Sequence, residues 1–151
     1  MLTNVQVSIL KHCEEFEKSV EGLYKVFKAL FPQTGVWRIL MQEEQFHAES
    51  VAKLLEMGLE GRSTFTEGRI TPESVQKLID YVKQLTESAK AGKYNARQAL
   101  AVSLDLENSI IEANIFRRFT VSPEAVQFLD TLHDGTLHHI QMLRDELAKA
   151  G

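Results

Sequence analysis

The sequence predicts an all-α protein, and three observations carry that prediction. Apolar residues recur at i, i+3, i+4 and i+7 through almost the whole chain. No stretch alternates apolar and polar residues for long enough to argue for a strand. Proline, glycine and N-cap residues punctuate the pattern where helices would stop and start.

The first helix is expected from about Val5 to Phe31, where Pro32 and Gly35 break the pattern. A second follows from Val36 to Met57 and stops at Gly58. The stretch GLEGRSTFTEGRIT carries three glycines and little periodicity, so it reads as a connection. Thr71 then offers an N-cap with Pro72 at the first helical position, opening an accessory helix to about Ala91 whose stripe is Val75, Leu78, Ile79, Val82 and Leu85. Asn95, with Gln98 three residues later, resembles a capping box and opens a third long helix to about Phe119. Ser122 and Pro123 open a fourth, running to the C-terminus. Four long helices in two hairpins, joined by a long crossover between helices two and three that carries the shorter accessory helix, predict a four-helix bundle in one domain over residues 1–151.

Composition narrows the function classes. The chain is 44% hydrophobic and 25% charged, with a formal charge of -4 and a pI near 5.7, and its lysines and arginines are scattered. That balance argues against nucleic acid as a partner. The start has no basic region ahead of an apolar run, and no segment approaches the ~20 apolar residues of a membrane span. A cytoplasmic protein without a membrane partner is expected. Cys13 is the single cysteine, so any metal would be held by carboxylates and imidazoles.

Polar residues interrupt the core seams. Helix one reads Cys13, Glu17, Val20, Tyr24, Phe27, while Glu14, Lys18, Glu21 and Lys25 form a solvated stripe. Helix two reads Trp37, Leu40, Glu44, His47, Val51, Leu54, and helix three Leu100, Leu104, Glu107, Ile111. Helix four reads Leu129, Leu132, Thr136, His139, Leu143, which places Thr136 and His139 as helix two places Glu44 and His47.

Depth agrees with phase, because residues facing each other in an antiparallel hairpin lie equally far from its turn. The mean of 17 and 47 is 32, and the mean of 107 and 139 is 123, and both midpoints fall on prolines, Pro32 and Pro123. Glu17 and His47 are therefore expected at one level of the first hairpin, and Glu107 and His139 at one level of the second.

A lone Glu or His on a seam is usually a hydrogen-bonded buried group and nothing more. Five such residues at matching depth on four helices are different. Each unpaired ionised carboxylate in a core carries a penalty of several kcal/mol, and converging carboxylates repel unless protons or cations are shared. A divalent metal removes both problems, and mixed carboxylate and imidazole donors suit iron, manganese or zinc. Tyr24 reads as packing beside such a centre, Cys13 as a small buried hydrophobe, and His12, His133 and His138 as surface or edge residues. Glu43, Glu49 and Glu112 read as solvated, with Glu43 and Glu112 flanking ligand positions.

A Glu on one helix and Glu-x-x-His on the next, repeated across a crossover, resembles the ligand arrangement of the ferritin-like di-iron carboxylate proteins. Within that superfamily the chain is most similar to rubrerythrin-type domains. The resemblance rests on FEKSVEGLY with Glu17 and Tyr24, EEQFH, LENSIIEANIF with Glu107, and LHDGTLHHIQML with His139. It covers all four long helices. It implies Glu17 as a terminal ligand, Glu44 as a bridging carboxylate, His47 as a terminal imidazole, and Glu107 and His139 serving the second half.

The implied cofactor is iron, two ions in a complete site, and the implied activity is reduction of peroxide, oxidation of ferrous iron, or activation of dioxygen. A homo-oligomer is expected, with a dimer favoured. The chain lacks the four-cysteine rubredoxin domain that often follows in rubrerythrins, so an external electron donor such as a rubredoxin is implied. Thr136 stands where the pattern has its second bridging Glu. Asp134 is two residues, about 200°, away around the helix, so water, Asp134 or Glu112 would have to complete the second half. The alternative is a degenerate bundle that binds one metal or none and works through its surface.

Overall fold

In a computed structural model of the chain, residues 1–113 and 115–150 are described, with side chains described outside 110–116 and 124. Five α-helices account for most of them, in the order α1 (Asn4–Leu30), α2 (Val36–Leu59), α3 (Pro72–Lys90), α4 (Ala96–Ala113) and α5 (Val126–Ala150). The all-α expectation holds.

Local chemistry sets these boundaries. Thr3 and Gln6 form a capping box at the start of α1, with Gln6 N donating to Thr3 Oγ1 at 3.1 Å and Thr3 N to Gln6 Oε1 at 2.9 Å. Pro32 follows its last turn, which is closed by Phe31 N donating to Phe27 O at 2.8 Å. The expected caps of α3 and α4 are both present. Ser74 N donates to Thr71 Oγ1 at 3.0 Å, and Gln98 N to Asn95 Oδ1 at 2.8 Å. Gly92, at φ +74°, adopts the left-handed conformation that ends α3.

Three expectations need correction. The connection after α2 contains a strand, β1 (Ser63–Phe65), paired antiparallel with β2 (Phe119–Val121) in the register Ser63↔Val121, Thr64↔Thr120, Phe65↔Phe119. Three-residue strands are too short to leave a periodic signal in the sequence. What holds them is a cross-strand aromatic pair, with the Phe65 and Phe119 ring centroids 4.9 Å apart. Because the ribbon takes Phe119, α4 ends at Ala113 instead of running to Phe119, and a short 3-10 segment, Ile115–Arg118, leads into β2. Finally, Ser122 and Pro123 open a second 3-10 turn, Pro123–Ala125, and α5 starts after it at Val126.

The helices pack as two antiparallel hairpins, α1 against α2 and α4 against α5, with α2 also touching α5. The accessory helix α3 lies against α1, burying Val75, Ile79, Val82, Leu85 and Ala89. Among the described residues the largest fully buried side chains are Trp37, Tyr24, Phe16 and Phe27, of which Trp37, Tyr24 and Phe27 lie toward the α1–α2 turn. Among the described residues no helix is long and apolar enough to cross a membrane.

Cys13 is 1% exposed, and burial followed by the nearby Glu17 pushes its thiol up to about 12. A thiolate is the reactive form, so an aromatic disulfide reagent at pH 8 is expected to leave the native protein untouched and to titrate one thiol per chain after unfolding. Stoichiometric labelling of the native protein within minutes would contradict this burial.

Candidate metal centre

Glu17 on α1, Glu44 and His47 on α2, Glu107 on α4 and His139 on α5 meet in one buried layer. Their exposures run from 0% for Glu44, Glu107 and His139 to 2% for Glu17 and 4% for His47. Such burial is rare for ionisable groups. It follows from the seam phase, because each residue lies in line with apolar seam positions of its helix, such as Val20 and Tyr24 for Glu17 and Leu40 and Val51 for Glu44 and His47.

The layer has two lobes that share Glu44. In the first, His47 Nδ1 lies 3.7 Å from Glu44 Oε2 and 3.9 Å from Glu17 Oε2. In the second, His139 Nδ1 lies 3.3 Å from Glu44 Oε1 and 3.7 Å from Glu107 Oε1. The two imidazole rings stack with centroids 5.2 Å apart. The pairs expected at equal depth, Glu17 with His47 and Glu107 with His139, therefore do adjoin. Ligand atoms of Glu44, His47 and His139 all lie within 4.8 Å of one another, a grouping that could hold a metal ion.

These atoms crowd without bonding well. Glu17 Oε2, both Glu44 oxygens, Glu107 Oε2 and His139 Nδ1 are buried without an aligned hydrogen-bond partner among the described residues. An orphaned buried polar atom costs about 1–3 kcal/mol, and five in one layer call for a shared partner.

Protons offset part of the charge in the metal-free chain. Burial and then the charge of Glu44 hold the Glu17 carboxyl well above the usual carboxylate range. Burial would raise Glu44 too, but its polar contacts with Glu17, His139 and His47 outweigh it and hold this carboxyl low. Glu107 is pushed up to about 7 by burial and the charge of Glu44, against the pull of His139 and Tyr24. His139 is lowered by burial, yet its contacts with Glu107, Glu43 and Glu44 win and raise it to about 12.

Residues around the layer orient it. The Tyr24 hydroxyl donates to Glu107 Oε1 at 2.5 Å, linking α1 to α4. Glu43 corrects an expectation. Its side chain is 35% exposed, but its carboxylate pairs with Nε2 of His139, on the far side of the ring from Glu44 and Glu107. A carboxylate on the outer nitrogen fixes the tautomer and turns the other nitrogen toward a metal. The sequence does hold a trace of this, since Glu43 lies four residues before His47 and so shares a face with it.

The second half differs from the first at two adjacent positions. Thr136 is buried, but its hydroxyl donates to Leu132 O at 3.3 Å within its own helix. Asp134 is exposed and so is not a substitute ligand, and the Glu112 side chain lies outside the described residues. Gly135 was not anticipated. A Cβ built there would stand 3.2 Å from His47 Nε2, a tight contact, so the missing side chain eases the close passage of α5 past the ring. The pattern Glu43-Glu44-x-x-His47 thus has the echo Gly135-Thr136-x-x-His139. The first residue of each motif stands at the other motif's imidazole.

Comparison with models of protein families, with curated proteins and with solved structures finds no match for this chain.

Proposed function

We propose that the layer is a di-iron carboxylate centre of rubrerythrin type on a ferritin-like four-helix bundle, and that the protein is an oxidoreductase acting on peroxide or dioxygen with an external electron donor. The observation that carries this reading is the convergence of five buried ligand-type side chains from four helices, with five of their polar atoms lacking aligned partners among the described residues. Protons alone leave those atoms poorly satisfied, and cations would satisfy them together.

In this reading the donors divide between two ions. Glu17, His47 and Glu44 Oε2 would hold one, and Glu107, His139 and Glu44 Oε1 the other. Oxygen and imidazole donors suit iron, with manganese or zinc as the other candidates. Iron bound there would supply Lewis-acid polarisation and two reducing equivalents.

The chain's own residues prepare that chemistry. Burial of the layer excludes water and raises the effect of every charge in it. The Tyr24 hydroxyl donates to Glu107 Oε1 and steadies that carboxyl, and Glu43 fixes the ring of His139. Cys13 is buried with its thiol pushed up to about 12, so it takes no redox role in this reading, and the supply of electrons is left to the external donor.

Thr136 favours a second reading, in which the bundle retains one ion or none and acts through its surface, because the threonine hydroxyl is turned onto Leu132. Anaerobic titration with ferrous iron separates the two. The di-iron reading predicts two equivalents bound per chain and their oxidation on adding peroxide; binding no greater than background would overturn it.

A further inference from the structure

The two motifs of the layer are unequal, and the inequality has a chemical consequence. Glu44 presents one oxygen to each lobe, Oε2 toward His47 and Oε1 toward His139. The corresponding residue of the second motif, Thr136, is 3% exposed and offers no carboxylate, its hydroxyl being tied to Leu132 O. Each lobe therefore has three side-chain donors among the described residues. Four is the usual minimum for zinc, and iron takes more. The helical backbone beside Thr136 has no carbonyl to lend, because its carbonyls are held in the helix ladder.

Charge points the same way. Three inner carboxylates against two divalent cations leave one positive charge in a layer that is at most 4% exposed, where net charge is expensive. Glu43 stands behind the imidazole of His139 with 35% of its side chain exposed, where water screens it. A small monoanion with two oxygens would supply both the missing donors and the missing charge.

Resting on the metal-centre reading, we propose that the side of the layer where Thr136 stands takes an exogenous carboxylate of formate or acetate size, in place of the side-chain carboxylate that this position lacks. The neighbour of Thr136 toward the N-terminus is Gly135, half-buried, where even a Cβ would stand 3.2 Å from His47 Nε2, so the packing along α5 limits the ligand to the smallest carboxylates. A larger carboxylate would meet the ring of His47, which already lies within 3.2 Å of where a Cβ at 135 would be.

The test uses the whole chain loaded anaerobically with two equivalents of cobalt(II), with bound cobalt measured in every sample. Sodium acetate is titrated in at constant ionic strength against a chloride control, and the visible ligand-field bands are followed. The wild type is expected to show a saturable change that chloride does not produce. Thr136→Glu should retain cobalt and weaken that response by at least about tenfold, because its own carboxylate fills the place. Thr136→Val should keep the response, since the hydroxyl bonds only to the helix.

An equal acetate response in wild type and Thr136→Glu, or no response in wild type with two cobalt ions bound, overturns the proposal. So does a response that appears only in Glu112→Gln, which would make Glu112 the missing donor. Absence of cobalt binding overturns the underlying metal-centre reading and this proposal with it. Relaxation of carbon-13 formate by the bound cobalt needs no variant. Strong enhancement is expected in the wild type, and none would contradict the proposal even if Thr136→Glu fails to fold.

Discussion

Glu17→Gln is expected to make the metal-free protein more stable, by about 1–3 kcal/mol at pH 8, while weakening metal binding by at least about tenfold. Glu17 is 2% exposed and shares its surroundings with Glu44 and Glu107. The fold must keep the Glu17 carboxyl protonated at a pH where the unfolded chain ionises it, and glutamine is neutral without that cost and without repulsion from its neighbours. For a chain of this size the gain corresponds to a rise in melting temperature of about 2–4 °C per kcal/mol.

The sign of the pH dependence follows from each group in turn. A carboxyl raised in the folded state, as Glu17 and Glu107 are, costs nothing below its unfolded pKa of about 4.3 and increasingly more as pH rises through its folded value. His139, raised to about 12, stabilises the fold below its unfolded value of about 6.5, and that contribution declines as pH climbs toward 12. Glu44, held low, contributes above about pH 4.3 and is lost only in stronger acid. Between about pH 5 and 8 the first three effects all weaken the metal-free wild type while the fourth stays constant. Thermal unfolding without metal should therefore show the advantage of Glu17→Gln growing with pH. A variant that melts below the wild type at pH 8 would contradict the crowding of charge in this layer.

Metal loading should act in the opposite direction and more strongly. A cation that binds only the folded state, at a thousand times its dissociation constant, stabilises by about 4 kcal/mol, so ferrous iron or cobalt(II) should raise the melting temperature by roughly 8–16 °C. Binding must displace the protons on Glu17, Glu107 and His139, so affinity should rise with pH between about 6 and 8, with proton release. Calorimetric titration in two buffers of different ionisation enthalpy measures that release. No dependence of the apparent enthalpy on the buffer would mean that the cation binds away from these groups.

How much of this could be read from the sequence depends on the length scale of each signal. The helix boundaries at Thr71 and Asn95 were legible because a cap is a local hydrogen bond between residues three apart. The adjacency of Glu17 with His47 and of Glu107 with His139 was legible because helical phase and hairpin depth are both counted along the chain. The β1–β2 ribbon was not, since it joins Phe65 to Phe119 across most of a helical domain and each strand is only three residues long. Glu43 could be read only as flanking a ligand position, because its pairing with His139 depends on how α2 and α5 approach each other. Gly135 was missed, as only the distance between helices shows that a Cβ there would press on His47. The role of Thr136 was legible in part. Its place in the echo of the first motif was plain, but not the turn of its hydroxyl onto Leu132.

The most direct test of the centre is the metal content of the protein purified from iron-supplemented medium, compared with that of Glu44→Ala. Among the described residues Glu44 is the side chain shared by both lobes, with an oxygen facing each imidazole. Its loss should therefore empty both positions together. The prediction is about two metal ions per wild-type chain and content at background in the variant, with unchanged helicity by circular dichroism. Equal metal content in the two proteins would contradict the account.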